Sequence, residues 1–138
     1  MDKIVKIIVV DDHELFRKGV VMVIKKMDNM QVIAEASNGK EFLRLLNSHI
    51  PDIVFMDIKM PEVNGVDATI EAIARYPQMK VIALSMFGEE EYLQKMIKAG
   101  AVGYMLKPVT QDKLATAIGE VYEEYANDED DELDILDD

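Results

Sequence analysis

The chain has 138 residues, 49% of them hydrophobic and 30% charged, with a formal net charge of -12. That length supports one ordinary domain with one sizeable core and leaves no room for a second. Without cysteine there is no disulfide scaffold, thiol nucleophile or thiolate metal site, and His13 and His49 alone cannot make a zinc centre built on several histidines. No apolar run approaches the roughly 18 residues of a membrane span, and Met1 to Val10 lacks a cleavable signal pattern. A soluble, cytoplasmic protein with no membrane insertion is expected.

The charge is unevenly placed. Residues 1–119 carry 16 acidic and 15 basic side chains, whereas residues 120–138 carry 11 acidic side chains and no Lys or Arg. The low pI, about 4.5, therefore belongs mainly to the tail. A nearly neutral body lacks the broad basic surface that grips a phosphate backbone, and the tail repels one. Direct nucleic acid binding is not expected.

From Lys3 to Val10 the chain is almost continuously apolar and β-branched, ending at Asp11-Asp12. Such a run predicts a strand buried on both faces. Leu15, Phe16, Val20, Val23, Ile24 and Met27 then recur with a helical period, Asp28-Asn29 interrupts them, and Val32–Ala34 predicts a second short strand. Asn38 and Glu41 have capping-box spacing, opening a helix expected to bury Phe42, Leu43, Leu45 and Leu46. His49-Ile50-Pro51 closes that unit, because proline cannot continue a helix.

Ile53–Met56 predicts the third strand, ending at Asp57, and a loop with Pro61 and Gly65 follows. A shorter helix carries Val66, Ile70, Ile73 and Ala74 to Arg75, with Pro77 as its stop. Val81–Leu84 predicts strand four and delivers Ser85. Leu93, Met96 and Ile97 mark a helix that Ala99-Gly100 ends. Tyr104–Leu106 predicts strand five, followed by Lys107-Pro108. Thr110 caps a last helix whose apolar stripe is Leu114, Ala117, Ile118, Val121 and Tyr122, extending to Tyr125. Five strands alternating with five helices argue for βαβ units and a parallel sheet covered on both faces.

Open sheets of this kind bind ligands at the carboxyl ends of their strands. Asp11, Asp12, Asp57, Ser85 and Lys107 all fall there. Three clustered carboxylates repel one another, and a hard divalent cation with oxygen ligands relieves the repulsion. Lys107 can neutralise phosphoryl oxygens, Ser85 can donate a hydrogen bond, and Asp57 is placed for in-line attack on phosphorus to form an aspartyl phosphate. Taken singly each residue has a plainer use: Asp12 as a helix cap, Asp57 or Lys107 as loop residues, Ser85 as nothing in particular. Their joint position at consecutive strand ends argues for a site.

Four motifs, Val9–His13, Met56–Pro61 with Asn64-Gly65, Ala83–Ser85 and Gly103–Pro108, resemble in order and spacing the receiver domains of two-component response regulators. The match covers roughly Lys3 to Glu124. The stretch Asp11–Gly19 is similar to receivers of the nitrate-regulator subfamily, which usually carry a helix-turn-helix output domain. The resemblance implies a flavodoxin-like, doubly wound three-layer α/β sandwich, its five-stranded parallel sheet in the order 2-1-3-4-5 with five helices. It implies Asp57 as phosphoacceptor, and Mg2+ (with Mn2+ able to substitute) held by Asp12 and Asp57, by Asp11 through water, and by the Lys59 backbone carbonyl. Lys107 would pair with the carboxylate and then the phosphoryl group. Ser85 would move toward the phosphoryl oxygen, and Tyr104 would rotate inward in response.

Lys59 and Phe87 occupy positions that vary in the family and would tune autodephosphorylation, in a direction the sequence does not give. The partners implied are a sensor histidine kinase or histidine phosphotransfer protein and an unknown downstream protein, with a weak or phosphorylation-dependent homodimer left open. The chain would catalyse only its own phosphorylation and dephosphorylation. Residues 1–125 are expected to form the receiver domain and 126–138 a disordered acidic tail. A stand-alone switch, a fragment of a longer DNA-binding regulator and a phosphorylation-independent relic all fit this organisation. Haloacid-dehalogenase-like phosphatases need a second Asp where Lys59 stands, and a flavin phosphate would be repelled by Asp11–Glu14, which stand where a flavodoxin has its phosphate loop.

Overall fold

The β-branched runs form the centre of a three-layer sandwich because each is covered by helices on both faces. The computed structural model describes residues 4–60 and 63–121. Its elements are β1 (Val5–Val10), α1 (Glu14–Lys25), β2 (Met30–Ala36), α2 (Gly39–Leu45), β3 (Ile53–Asp57), α3 (Gly65–Arg75), β4 (Lys80–Ser85), α4 (Glu90–Ala99) and β5 (Gly103–Leu106). A fifth helix, α5, covers 111–121 of the described residues. The strands are parallel in the order β2-β1-β3-β4-β5, the flavodoxin-like order.

Alternate residues of each central strand serve opposite cores. Ile8, Val10, Val54 and Met56 join the layer under α2, α3 and α4, whereas Ile7, Val9, Ile53 and Phe55 join the layer under α1 and α5. Hence the runs are apolar throughout instead of alternating with polar residues. At the sheet edge β2 is only half-buried. It is longer than Val32–Ala34, because pairing with β1 continues past an irregularity between Ile7 and Ile8 as far as Ala36.

Local signals held at the caps. Asn38 accepts the Glu41 N–H at 2.8 Å, and Thr110 Oγ1 accepts the Lys113 N–H at 3.2 Å. The carboxylate of Glu41 is engaged by the Ser37 hydroxyl.

Helix faces were less legible. The buried face of α3 is Gly65, Ala68, Thr69 and Ala72, while Ile70 and Ala74 are exposed. Small residues at that i, i+3, i+4, i+7 spacing let the helix lie close to its neighbours, and Thr69 reaches Met96 Sδ at 3.7 Å. Helix α4 buries Met96 and half-buries Leu93, leaving Ile97 exposed. Leu15, in the first turn of α1, lies beyond the strand ends and is also exposed. Lys3, Pro61-Glu62, Tyr122, Tyr125 and residues 126–138 lie outside the described residues.

One tight approach positions the site. A Cβ on Gly65 would collide with the Asp57 carbonyl oxygen and with Ile58, and the Gly65 N–H donates to the Ile58 carbonyl at 3.0 Å. Gly65→Ala is expected to cost about 1–3 kcal/mol through overpacking against backbone. Gly19→Ala, mid-helix where a Cβ meets nothing within 4 Å, is expected to gain up to about 1 kcal/mol of helix propensity. Urea denaturation of the two variants checks both signs.

Candidate functional site

The parallel register brings the ends of four strands to one edge. Asp57 and Ser85 are the last residues of β3 and β4. Asp11 extends β1 by one pairing, its N–H donating to the Ala36 carbonyl at 3.0 Å, and the Lys107 N–H donates to the Ser85 carbonyl at 2.8 Å. Asp11, Asp12, Asp57 and Lys107 gather at this edge, and Ser85 ends the neighbouring strand beside them. Asp11, Asp57 and Ser85 are buried, and the Asp12 side chain is partly exposed.

The Lys107 ammonium lies 2.9 Å from Asp11 Oδ2 and 3.6 Å from Asp57 Oδ1, so in this arrangement its tighter partner is Asp11. It also sits 4.5 Å from the centroid of the Phe16 ring, a cation–π contact. Burial pushes the Asp57 carboxyl up to about 8, with the Asp11 charge adding to the rise and Lys107 opposing it.

Residues without an obvious sequence signal complete the surroundings. Arg17 donates to the Asp11 carbonyl oxygen at 2.8 Å and to Glu35 Oε1 at 3.0 Å, tying the acidic turn to β2. Burial raises the Glu35 carboxyl, but the hydrogen bonds and charges of Arg17 and Lys18 outweigh it and hold the group below the usual carboxylate range. On the opposite rim the Glu89 carboxylate accepts the Met86 N–H at 2.7 Å, and both residues line a crevice of about 360 Å³ with His13, Asp57, Lys59, Met60 and Lys107. The Lys59 ammonium lies 5.3 Å from the Tyr92 ring centroid. Phe87 and Tyr104 are exposed and stand outside the crevice lining.

The donor set suits a divalent cation. Asp11, Asp12, His13 and Asp57 each offer an atom, all within 4.8 Å of one another. Asp57 Oδ2 and Ser85 Oγ are buried without a hydrogen-bond partner, and Asp11 Oδ2 has its ion pair but no aligned hydrogen bond. Buried anionic oxygens left this way are expensive unless positive charge reaches them.

Comparison with known proteins agrees with this geometry. Residues 7–119 match the family described as the response regulator receiver domain. The transcriptional regulatory protein DegU of Brevibacillus brevis is 40% identical over 114 residues, covering 83% of this chain and 48% of its own length. The oxygen regulatory protein NreC of Staphylococcus epidermidis is 37% identical over 119 residues, covering 86% and 55%. The chain thus spans about half the length of these curated relatives. The solved REC domain of AraT, a response regulator from Geobacillus stearothermophilus, superposes with a TM-score of 0.81 at 28% identity, covering 91% of this chain and 98% of that one.

The raised carboxyl sets a pH dependence for the metal-free protein. A carboxylic acid that binds its proton more tightly when folded contributes stability below its unfolded value, near 3.8, and loses it as pH climbs toward 8. Asp57→Asn removes the cost of ionisation. In a chelating buffer it should stabilise the fold by on the order of 1–2 kcal/mol at pH 8, one pKa unit being about 1.4 kcal/mol, and by much less at pH 5. Thermal melts of both proteins at the two pH values check this.

Proposed function

This chain belongs to the receiver domains of two-component response regulators, and from that premise we propose that it is a switch phosphorylated on Asp57. The observation that carries the reading is the Asp57 carboxylate itself, buried at the end of β3 with the Lys107 ammonium 3.6 Å away and two further carboxylates alongside. The donor is a phosphohistidine of a sensor histidine kinase or histidine phosphotransfer protein. An Asp57 oxygen attacks phosphorus, the new O–P bond forms as the N–P bond breaks, and the departing imidazole nitrogen keeps the electron pair and takes up a proton. Water later hydrolyses the acyl phosphate and regenerates the carboxylate. The chemistry is thus confined to the chain's own phosphorylation and dephosphorylation.

Asp12, Asp57, Asp11 and the Lys59 carbonyl would hold a Mg2+, with Mn2+ an acceptable substitute. When bound it would supply positive charge that favours an ionised Asp57 and offsets the transferring phosphoryl group. Lys107 divides its charge between Asp11 and the acceptor, and gains a stronger partner as negative charge builds on the phosphoryl oxygens. The unpartnered Ser85 hydroxyl provides a donor for one of those oxygens. Its movement and that of the exposed Tyr104 change the surface read by a downstream protein.

A second reading rests on length. Because the curated relatives are about twice as long, the same chemistry serves equally as the regulatory half of a transcriptional regulator.

Intact-protein mass after incubation with acetyl phosphate and Mg2+ tests the acceptor. The wild type should gain about 80 Da, one phosphoryl group, and Asp57→Asn nothing. An unmodified wild type after rapid quenching would defeat the proposal. Timing the loss of that adduct in Lys59→Ala and Phe87→Ala should show a changed rate in at least one variant, and unchanged decay in both would remove them as tuning residues.

A further inference from the structure

The cluster at the strand ends contains one donor that an oxygen-only cation site does not use. His13 follows the acidic pair directly, and its Nδ1 lies 3.4 Å from Asp11 Oδ1 and 3.4 Å from Asp12 Oδ1. Both distances exceed the roughly 2.9 Å of a good N–H···O bond, so the ring is hydrogen-bonded to neither oxygen. The Asp12 distance is close to the spacing of neighbouring ligands around one octahedral ion, since bonds of about 2.1 Å at right angles put two donors about 3 Å apart.

Beyond these two carboxylate contacts, the ring has no capping role at that position. His13 is the N-cap residue of α1, yet its side chain makes no capping bond. Its backbone N–H is what holds Asp11 Oδ1, at 2.8 Å. That contact and the Arg17 grip on the Asp11 carbonyl fix the turn from which the ring projects. The side chain is 66% exposed, so it can close on an ion without unpacking the core. Within the same cluster, Asp57 Oδ2 is buried and has no hydrogen-bond partner.

We propose that His13 Nδ1 is a direct ligand that makes this a mixed oxygen and nitrogen site for first-row transition cations, from Mn2+ to Zn2+. The inference rests on the cation site described above and widens the class of ion it takes beyond Mg2+. Imidazole adds little to Mg2+ binding, because that ion prefers hard oxygen ligands and gives up water reluctantly. For the later divalent metals a nitrogen donor strengthens binding in the order that rises toward Ni2+ and Cu2+. The site then discriminates between cations as an all-carboxylate crevice does not.

Mn2+ supplies the direct readout, because a coordinated imidazole imprints a nitrogen coupling on its pulsed electron paramagnetic resonance spectrum. Wild type and His49→Gln should show that coupling, and His13→Gln should lose it while still binding Mn2+. His49 is a suitable control, paired with the Ser48 hydroxyl at 3.0 Å in the segment before β3. Calorimetric titration should show Ni2+ affinity falling at least about tenfold in His13→Gln, the loss that even an outer-shell partner costs a metal site, with Mg2+ affinity unchanged. Bound Mn2+ without imidazole coupling in the wild type overturns the role of His13 and leaves the cation site standing. A wild type that binds neither Mn2+ nor Mg2+ overturns the cation site and His13 together.

Discussion

Gathering carboxylates at the end of a buried sheet is electrostatically unfavourable, and the arrangement around them answers that constraint. Asp11 and Asp57 are nearly inaccessible to water, and Asp12 adds a third charge beside them. Lys107 offsets part of the repulsion, but one ammonium cannot neutralise three carboxylates. The remainder appears as a raised Asp57 carboxyl, which holds a proton near neutral pH until more positive charge arrives. Positive charge reaching the crevice would favour the ionised form of that carboxyl.

The supporting contacts keep this unfavourable cluster in register. Arg17 joins the backbone of Asp11 to Glu35 on β2, so the acidic turn is braced from outside. Phe16 lies beneath the Lys107 ammonium and gives that charge an aromatic face as well as its carboxylate partners. These residues touch no reacting atom. They limit how far the charged groups can relax away from one another.

The sheet and the gathering of Asp11, Asp12, Asp57 and Lys107 at its edge were legible in the sequence because they follow rules of local pattern. Unbroken β-branched runs marked doubly covered strands, and each run stopped at a polar residue that the parallel register then carried to the common edge. Helix orientation was less legible, since aliphatic bulk at Ile70 suggested a buried face that packing assigns to Ala68 and Ala72, and Ile97 is exposed although its expected companion Met96 is buried. Close approach favours small residues, and no scale of hydrophobicity rewards them for it. His13 and Glu89 escaped for a different reason. One is defined by distances across a turn, and the other by a side chain folding back to its own loop, so neither shows as a periodicity.

The collision that excludes any side chain at Gly65 has a mechanical consequence. The start of α3 and the strand end bearing Asp57 are locked together, so this jaw of the crevice moves as one body. The facing jaw is built differently. Between Ser85 and α4 lies Gly88 at a φ of 97°, in open space, with the loop fastened mainly by the mutual bonds of Met86 and Glu89. The two jaws therefore differ in construction, one packed backbone against backbone and the other running through a glycine in open space.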